Sequence, residues 1–123
     1  MRRMFLLGAL GLGLFFILAH ANQDDALDPL KVAGDTHKLA LENKFIRVMD
    51  VNLPPGKVEP MHRHPHGLSI YFNDWDAKVT IEGQQPQTRH RQAGTFAWSE
   101  AVVHTVQNVG KTDAHILRVE LKF

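Results

Sequence analysis

Beyond its apolar start, the chain is a series of short runs in which apolar and polar positions alternate, each closed by turn-forming residues. In FIRVMDVNL, residues 45–53, Ile46 and Val48 alternate with Arg47 and Met49, the period-two pattern of a strand. Pro54-Pro55-Gly56-Lys57 must turn, because two prolines and a glycine cannot continue a ladder. Further strands are expected at 68–72 and 78–81, in TRHRQ, TFAWS and HTVQN, and in HILRVELKF at 115–123. Asn73-Asp74 and EGQQP supply turns between them. Nothing after the N-terminal segment has helical periodicity, and the chain shows no internal repeat. The pattern predicts one all-β domain, a sandwich or barrel, over residues 39–123. Residues 22–38 are polar and acidic, pass through Ala33-Gly34-Asp35, and read as a linker or N-terminal arm.

The first residues follow another pattern. MRRMFLLGALGLGLFFILAHA opens on Arg2 and Arg3, runs apolar from Met4 to Ala19, and ends in Ala19-His20-Ala21. A basic start, an apolar middle and an A-x-A-like end make residues 1–21 a secretory signal peptide. The alternative is an uncleaved anchor, but the run is shorter than the roughly 20 apolar residues a spanning helix needs. The arginine pair also resembles a twin-arginine export signal, without the Ser or Thr that precedes the pair in such signals. That route would carry the protein across already folded. Either route leads to the periplasm or the exterior.

Composition removes several classes of function. The whole chain holds 14 Lys+Arg and 13 Asp+Glu, so loss of Arg2 and Arg3 leaves a near-neutral mature domain. No basic field remains for nucleic acid, nor for a membrane surface once the signal is cleaved. The chain has no cysteine, which excludes disulfides, thiolate metal sites, a nucleophilic Cys and a lipidated Cys. An exported domain of roughly 100 residues without disulfides rests on its core, helped by whatever binds its folded state.

Candidate chemistry concentrates in EPMHRHPHGLSIYF, residues 59–72, where His62, His64 and His66 fall within a chain of only eight histidines. Residues i and i+2 of a strand share a face, so His62 and His64 point together and Arg63 points away. Two imidazoles so spaced are a pair of cis ligands for a divalent metal. Pro65 lacks an N–H and belongs at an edge, bulge or strand end, so His66 need not stay in register. A third ligand must come from a distant strand. HTVQN offers His104, with Val106 and Asn108 on the same face.

These residues carry a resemblance. GKVEPMHRH matches G-x5-H-x-H, the opening of the first cupin motif, and HTVQN matches the H-x3-N that closes the second. Gly94 resembles the glycine that opens the second motif, one residue closer to His104 than usual. The chain is similar in particular to small single-domain cupins with an EPMHxHPH stretch, some of them named beta-alanine degradation proteins. The resemblance implies a double-stranded β-helix, a jelly-roll cupin barrel, with a divalent metal held inside by His62, His64 and His104. Fe, Zn, Mn, Ni and Cu are not told apart by it.

The departures from the motifs matter equally. The family's glutamate should fall at Leu68 or Ser69, and neither supplies a carboxylate. The glycine closing motif one falls within Asn73-Asp74-Trp75-Asp76, and the proline and glycine of motif two appear as Glu100 and Val102. Three site readings follow: a three-histidine metal site completed by waters, recruitment of His66 as a fourth ligand, or a metal-free pocket whose histidines bind a ligand directly. Three neutral imidazoles leave a divalent ion its full charge, which favours an anionic ligand or a metal-bound water.

Among the other residues, Ser69 and Tyr71 share a face and are candidates for the pocket wall. Tyr71, the only tyrosine, is the candidate catalytic residue, a donor or acid near the metal, with a core aromatic as its alternative. Phe96 and Trp98 are expected in the barrel core or pocket wall, and Trp75 at the barrel mouth. His115 shares parity with apolar Leu117, Val119 and Leu121 and reads as a hydrogen-bonded structural residue. His90 reads as solvated, and His37 belongs to no constellation. Glu100 reads as a solvated loop residue near His104. Function then divides between a dioxygenase-like or lyase/hydrolase-like enzyme acting on a small organic anion and a non-catalytic barrel that binds a small molecule or metal. A homodimer is compatible with either.

Overall fold

In the computed structural model, which describes residues 25–123, the alternating runs become strands of two antiparallel sheets. Among the described residues these are β1 (His37–Glu42), β2 (Ile46–Leu53), β3 (Val58–His64), β4 (Gly67–Tyr71), β5 (Trp75–Ile81), β6 (Gln87–Arg91), β7 (Phe96–Ser99), β8 (Val102–Asn108) and β9 (Ala114–Leu121). One sheet has the order β1-β2-β9-β4-β7 and the other β3-β8-β5-β6. The chain thus crosses repeatedly between sheets, the winding of a double-sheet jelly roll. β1 is an addition to the strands read from the sequence. The signal-peptide reading concerns residues 1–21, which lie outside the described residues. Among the described residues, no helix is long and apolar enough to cross a membrane.

The turns form where proline and glycine demand them. Gly56 takes φ +79° in the turn closed by Lys57 N–H donating to Pro54 O at 3.1 Å. Pro65 and His66 sit between β3 and β4, where a proline's missing donor costs no ladder bond. Gly67 opens β4 in close contact with β9: a Cβ there would lie 2.1 Å from the Val119 carbonyl oxygen.

Residues 25–38 differ from the arm expected of them. Asp28 N-caps a short helix, α1 (Pro29–Val32), by accepting from Leu30 N–H at 2.9 Å, and proline occupies the first helical turn. The segment then docks: Arg63 N–H donates to Leu27 O at 2.8 Å, Pro29 and Ala33 are buried, and β1 begins at His37. A tail of mixed polarity becomes structure because capping and sheet pairing satisfy its backbone.

Along the strands the interior changes character. One end is apolar, built from Leu53, Trp75, Ala77, Val79, Val106 and Ala114 together with Tyr71. Each such side chain contributes about 1.5–3 kcal/mol on full burial when it is large. Farther along the same strands the inward positions become polar, with Glu59, His62, His64, Arg118 and Glu120 all buried. Between these regions lies a cavity of about 490 Å³.

The structure sets which faces of β9 and β7 turn inward. On β9 the inward face is Ala114, Ile116, Arg118 and Glu120, so the apolar residues Leu117, Val119 and Leu121 face outward. His115 goes outward with them and bonds Asp50 Oδ1 at 2.7 Å, as a hydrogen-bonded structural histidine should. Phe96 pairs with Ile70 on that outer face and is 72% exposed, outside the core and the cavity wall expected of it; Trp98, opposite Leu68 and 54% exposed, still contributes to the cavity wall, as does Ala97. Alternation fixes which residues share a face, and the second sheet decides which face is inside.

Candidate metal centre

His62 and His64 lie two apart on β3 and both point inward, buried at 1% and 5% exposure, while Arg63 points out. β8 pairs with β3 so that His104 sits directly opposite His62. Their Nε2 atoms are 3.2 Å apart. Two imidazole nitrogens bound to one metal at about 2.1 Å each lie about 3.0–3.4 Å apart for octahedral or tetrahedral angles. The ring centroids of His62 and His64 are 4.8 Å apart, and those of His64 and His104 are 5.5 Å apart. The structure therefore brings together all three sequence-named candidates.

A fourth histidine joins them. His37, at the start of β1, is 3% exposed, and its ring lies 5.2 Å from His62 and 5.6 Å from His64. One ligand nitrogen from each of His37, His62 and His64 falls within a 4.8 Å group. These three buried histidines can hold a divalent metal. The sequence reading left His37 outside any constellation. No local signal marks it, because its inward position follows from pairing with Val51 across β1 and β2.

Hydrogen bonds fix the tautomers. His62 Nδ1 lies 2.7 Å from Pro60 O, a pure acceptor, so Nδ1 carries the proton. His64 Nδ1 donates to Glu120 Oε1 at 2.7 Å. His37 Nδ1 lies 3.1 Å from Thr36 Oγ1, which donates onward to Glu59 Oε1 at 2.8 Å. For His62 and His64 this leaves Nε2 as the lone-pair nitrogen, the form a metal requires. Glu120 is held in turn by Arg47 Nε at 2.7 Å, and Arg47 Nη1 donates to Asp28 Oδ2 at 2.8 Å. The N-terminal segment thus supports His64 through two intermediates.

Electrostatics keep the imidazoles neutral. Burial lowers the pKa of all four, with further lowering from charged neighbours. His37 is brought to about 3, by burial and then by His64 and His62. His104 is brought to about 2, by burial and then by His62 and His64. His62 is lowered chiefly by burial, and His64 well below its ordinary value for the same reason.

A carboxylate is present after all, although not where the motif puts it. Glu59 is 3% exposed, and its Oε2 lies 3.9 Å from His62 Nε2. Burial pushes its pKa up to about 7 against the lowering effect of the Thr36 hydroxyl. Strict alternation would point residues 59 and 62 to opposite faces. The β3–β8 register slips between them, and this bulge turns both inward.

The remaining candidates separate clearly. His66 lies against Trp98, with ring centroids 5.7 Å apart, and is absent from the cavity wall. Ser69 and Tyr71 both line the cavity, and the Arg91 guanidinium lies 5.1 Å from the Tyr71 ring centre. Leu68 faces outward beside Trp98. Trp75 is a buried part of the cavity wall. Glu100 is exposed and accepts from Trp98 Nε1 at 2.8 Å. His90 is exposed, paired with Asp76 at 2.8 Å.

No protein-family model matches the sequence, and no curated protein matches it significantly. Solved structures do match the fold. A cupin domain from Bordetella pertussis Tohama I superposes with a TM-score of 0.66 at 20% identity, covering 71% of this chain and 92% of that one. An RmlC-like cupin family protein with a double-stranded β-helix fold from Methanocaldococcus jannaschii gives 0.58 at 17% identity, covering 69% and 77%. A protein with a double-stranded β-helix domain from Klebsiella pneumoniae gives 0.57 at 20% identity, covering 69% and 74%. With two sheets wound in this order around a histidine-lined interior, the chain has the fold of a small cupin.

Proposed function

We propose that the protein binds one divalent metal through His62, His64 and His104, with His37 as a further ligand, and uses it on a small organic anion. The observation that carries this reading is the buried cluster itself: one ring nitrogen from each of His37, His62 and His64 lies within 4.8 Å of the others, and His62 and His64 spend Nδ1 on acceptors, which leaves Nε2 free for a metal. A bound metal supplies Lewis-acid chemistry, and dioxygen chemistry if it is redox-active. The protein's own contributions are different. Glu120, Pro60 and Thr36 hold the rings, and the apolar wall of Leu53, Val79 and Val106 excludes water from the adjoining space. Tyr71 lines that space and is assigned as proton donor to the ligand. Glu59, beside His62, is the second proton-carrying group.

The test is metal analysis of protein purified from its native compartment. Near-stoichiometric metal is expected, and replacing His62 and His64 together by Ala should abolish it. Equal metal content in wild type and double variant would sink the site. Among single variants, His104→Ala should weaken metal binding far more than His66→Ala, because only His104 lies against His62; the reverse order would restore His66 as a ligand. Product formation from candidate acids, as against ligand-induced thermal stabilisation without product, separates the enzyme from a non-catalytic binding barrel.

A further inference from the structure

Arg118 occupies an inward position of β9, is 5% exposed, and lines the cavity. Its Nη1 donates to Ser99 Oγ at 2.8 Å and to Ser69 Oγ at 3.3 Å, and its Nη2 donates to Pro65 O at 2.7 Å. A guanidinium carries five N–H donors in a planar fork. Its Nε proton and one Nη2 proton are therefore unspent. Nε is a buried side-chain atom without a hydrogen-bond partner among the described residues, and Trp75 Nε1, on another residue of the cavity wall, shares that condition. Both orphans are donors, so what they lack is an acceptor.

The charge on Arg118 has no direct ion-pair partner either, and Glu120 acts on it only through space. Glu120, two positions along β9, spends one oxygen on His64 and the other on Arg47. No ion pair joins a carboxylate to Arg118 among the described residues. Burying a cation with no directly paired carboxylate is costly. Structural pinning of β4 and β7 would account for the three bonds made, but not for two unspent donors on a cation without a direct ion pair. The guanidinium also faces the histidines: its charge contributes to the lowered pKa of His62, His64 and His104.

We propose that Arg118 is the anchor for a carboxylate group of the cavity's ligand, which its Nε–H and remaining Nη2–H grip as a fork. The proposal rests on reading the cavity as a small-anion site, and not on a metal being bound. Two parallel N–H donors match the two oxygens of a carboxylate, and the low dielectric of the cavity strengthens the pair. Ser69, Ser99 and Pro65 hold the guanidinium plane in advance, so little side-chain freedom is lost on binding.

Propionate and its uncharged isostere propionamide are suitable probes, titrated into the full chain as purified and after chelation, at constant ionic strength. Propionate should bind the wild type at least about tenfold tighter than propionamide, and Arg118→Gln should erase that preference. Arg118→Lys, which keeps the charge and loses the fork, should fall between them. Metal content is measured on the same samples. A wild type that holds no metal as purified yet prefers propionate overturns the metal reading alone, whereas Arg118→Gln with normal metal and undiminished propionate preference overturns the anchor. Should Arg118→Gln fail to fold, the Arg118 Nε–H resonance of the wild type decides. A downfield shift at saturating propionate supports the fork, and an unmoved signal refutes it.

Discussion

At the scale of single residues, the site depends on partners that a motif does not contain. Glu120 is 2% exposed and holds His64 through a 2.7 Å bond while accepting from Arg47. Removing its charge should loosen the imidazole's orientation and lower its basicity, without removing a ligand. Glu120→Gln is therefore expected to lower metal affinity about tenfold or more while leaving stoichiometry intact at saturation. A competitive chelator titration measures this, and an unchanged affinity would show that His64 needs no orienting carboxylate. His62 and His64 were legible as candidates through strand parity, and His104 through the resemblance of HTVQN to the H-x3-N motif. Glu59 and His37 were not. The first is turned inward by a bulge, and the second by pairing with a strand that no pattern in its own neighbourhood specifies.

At the scale of elements, the cluster is assembled where β3 and β8 pair, and the far end of β8 is held by Asn108. That residue is fully buried: Nδ2 donates to Leu53 O at 2.9 Å and to Thr112 O at 2.7 Å, while Oδ1 accepts from Gly110 N–H at 2.9 Å. It thus ties the turn before β9 to the end of β2. The asparagine of the H-x3-N pattern has a structural role in this chain. Asn108→Ala would strand two carbonyls and one N–H, at a cost of about 3 kcal/mol. Denaturant unfolding should show that loss. Metal stoichiometry of the folded fraction should be retained, since Asn108 and His104 occupy different ends of the strand; loss of both together would contradict the separation.

At the scale of the whole molecule, half of the interior is polar, and this sets the response to pH. In metal-free protein the folded pKa values of His37 and His104, about 3 and about 2, lie far below the ordinary 6.5, and those of His62 and His64 are lowered too. Below pH 6.5 the unfolded chain binds protons that these folded histidines refuse, so their stability contribution is lost as pH falls. Glu59 acts oppositely: raised from 4.5 to about 7, it takes up a proton in the folded state first, offsetting one histidine between those values. Four histidines outweigh one carboxyl. The melting temperature of chelator-treated protein should fall from about pH 6.5 downward, and a flat profile between pH 7 and pH 5 would refute the buried neutral cluster.

Legible in the chain alone were the strands that follow β1, the turns at Pro54–Lys57 and around Pro65, and the face shared by His62 and His64. Local alternation and the missing N–H of proline suffice for each. It could not say which face of β9 or β7 turns inward, because alternation is symmetric until a second sheet covers one side. That choice buried Arg118 and Glu120 and left Phe96 outside. Only tertiary structure joined His37 to the cluster, folded residues 25–36 against the barrel, and placed Arg118 on the cavity wall with its Nε–H unpartnered. Those relations are made by chain segments far apart in sequence, and no local pattern encodes them.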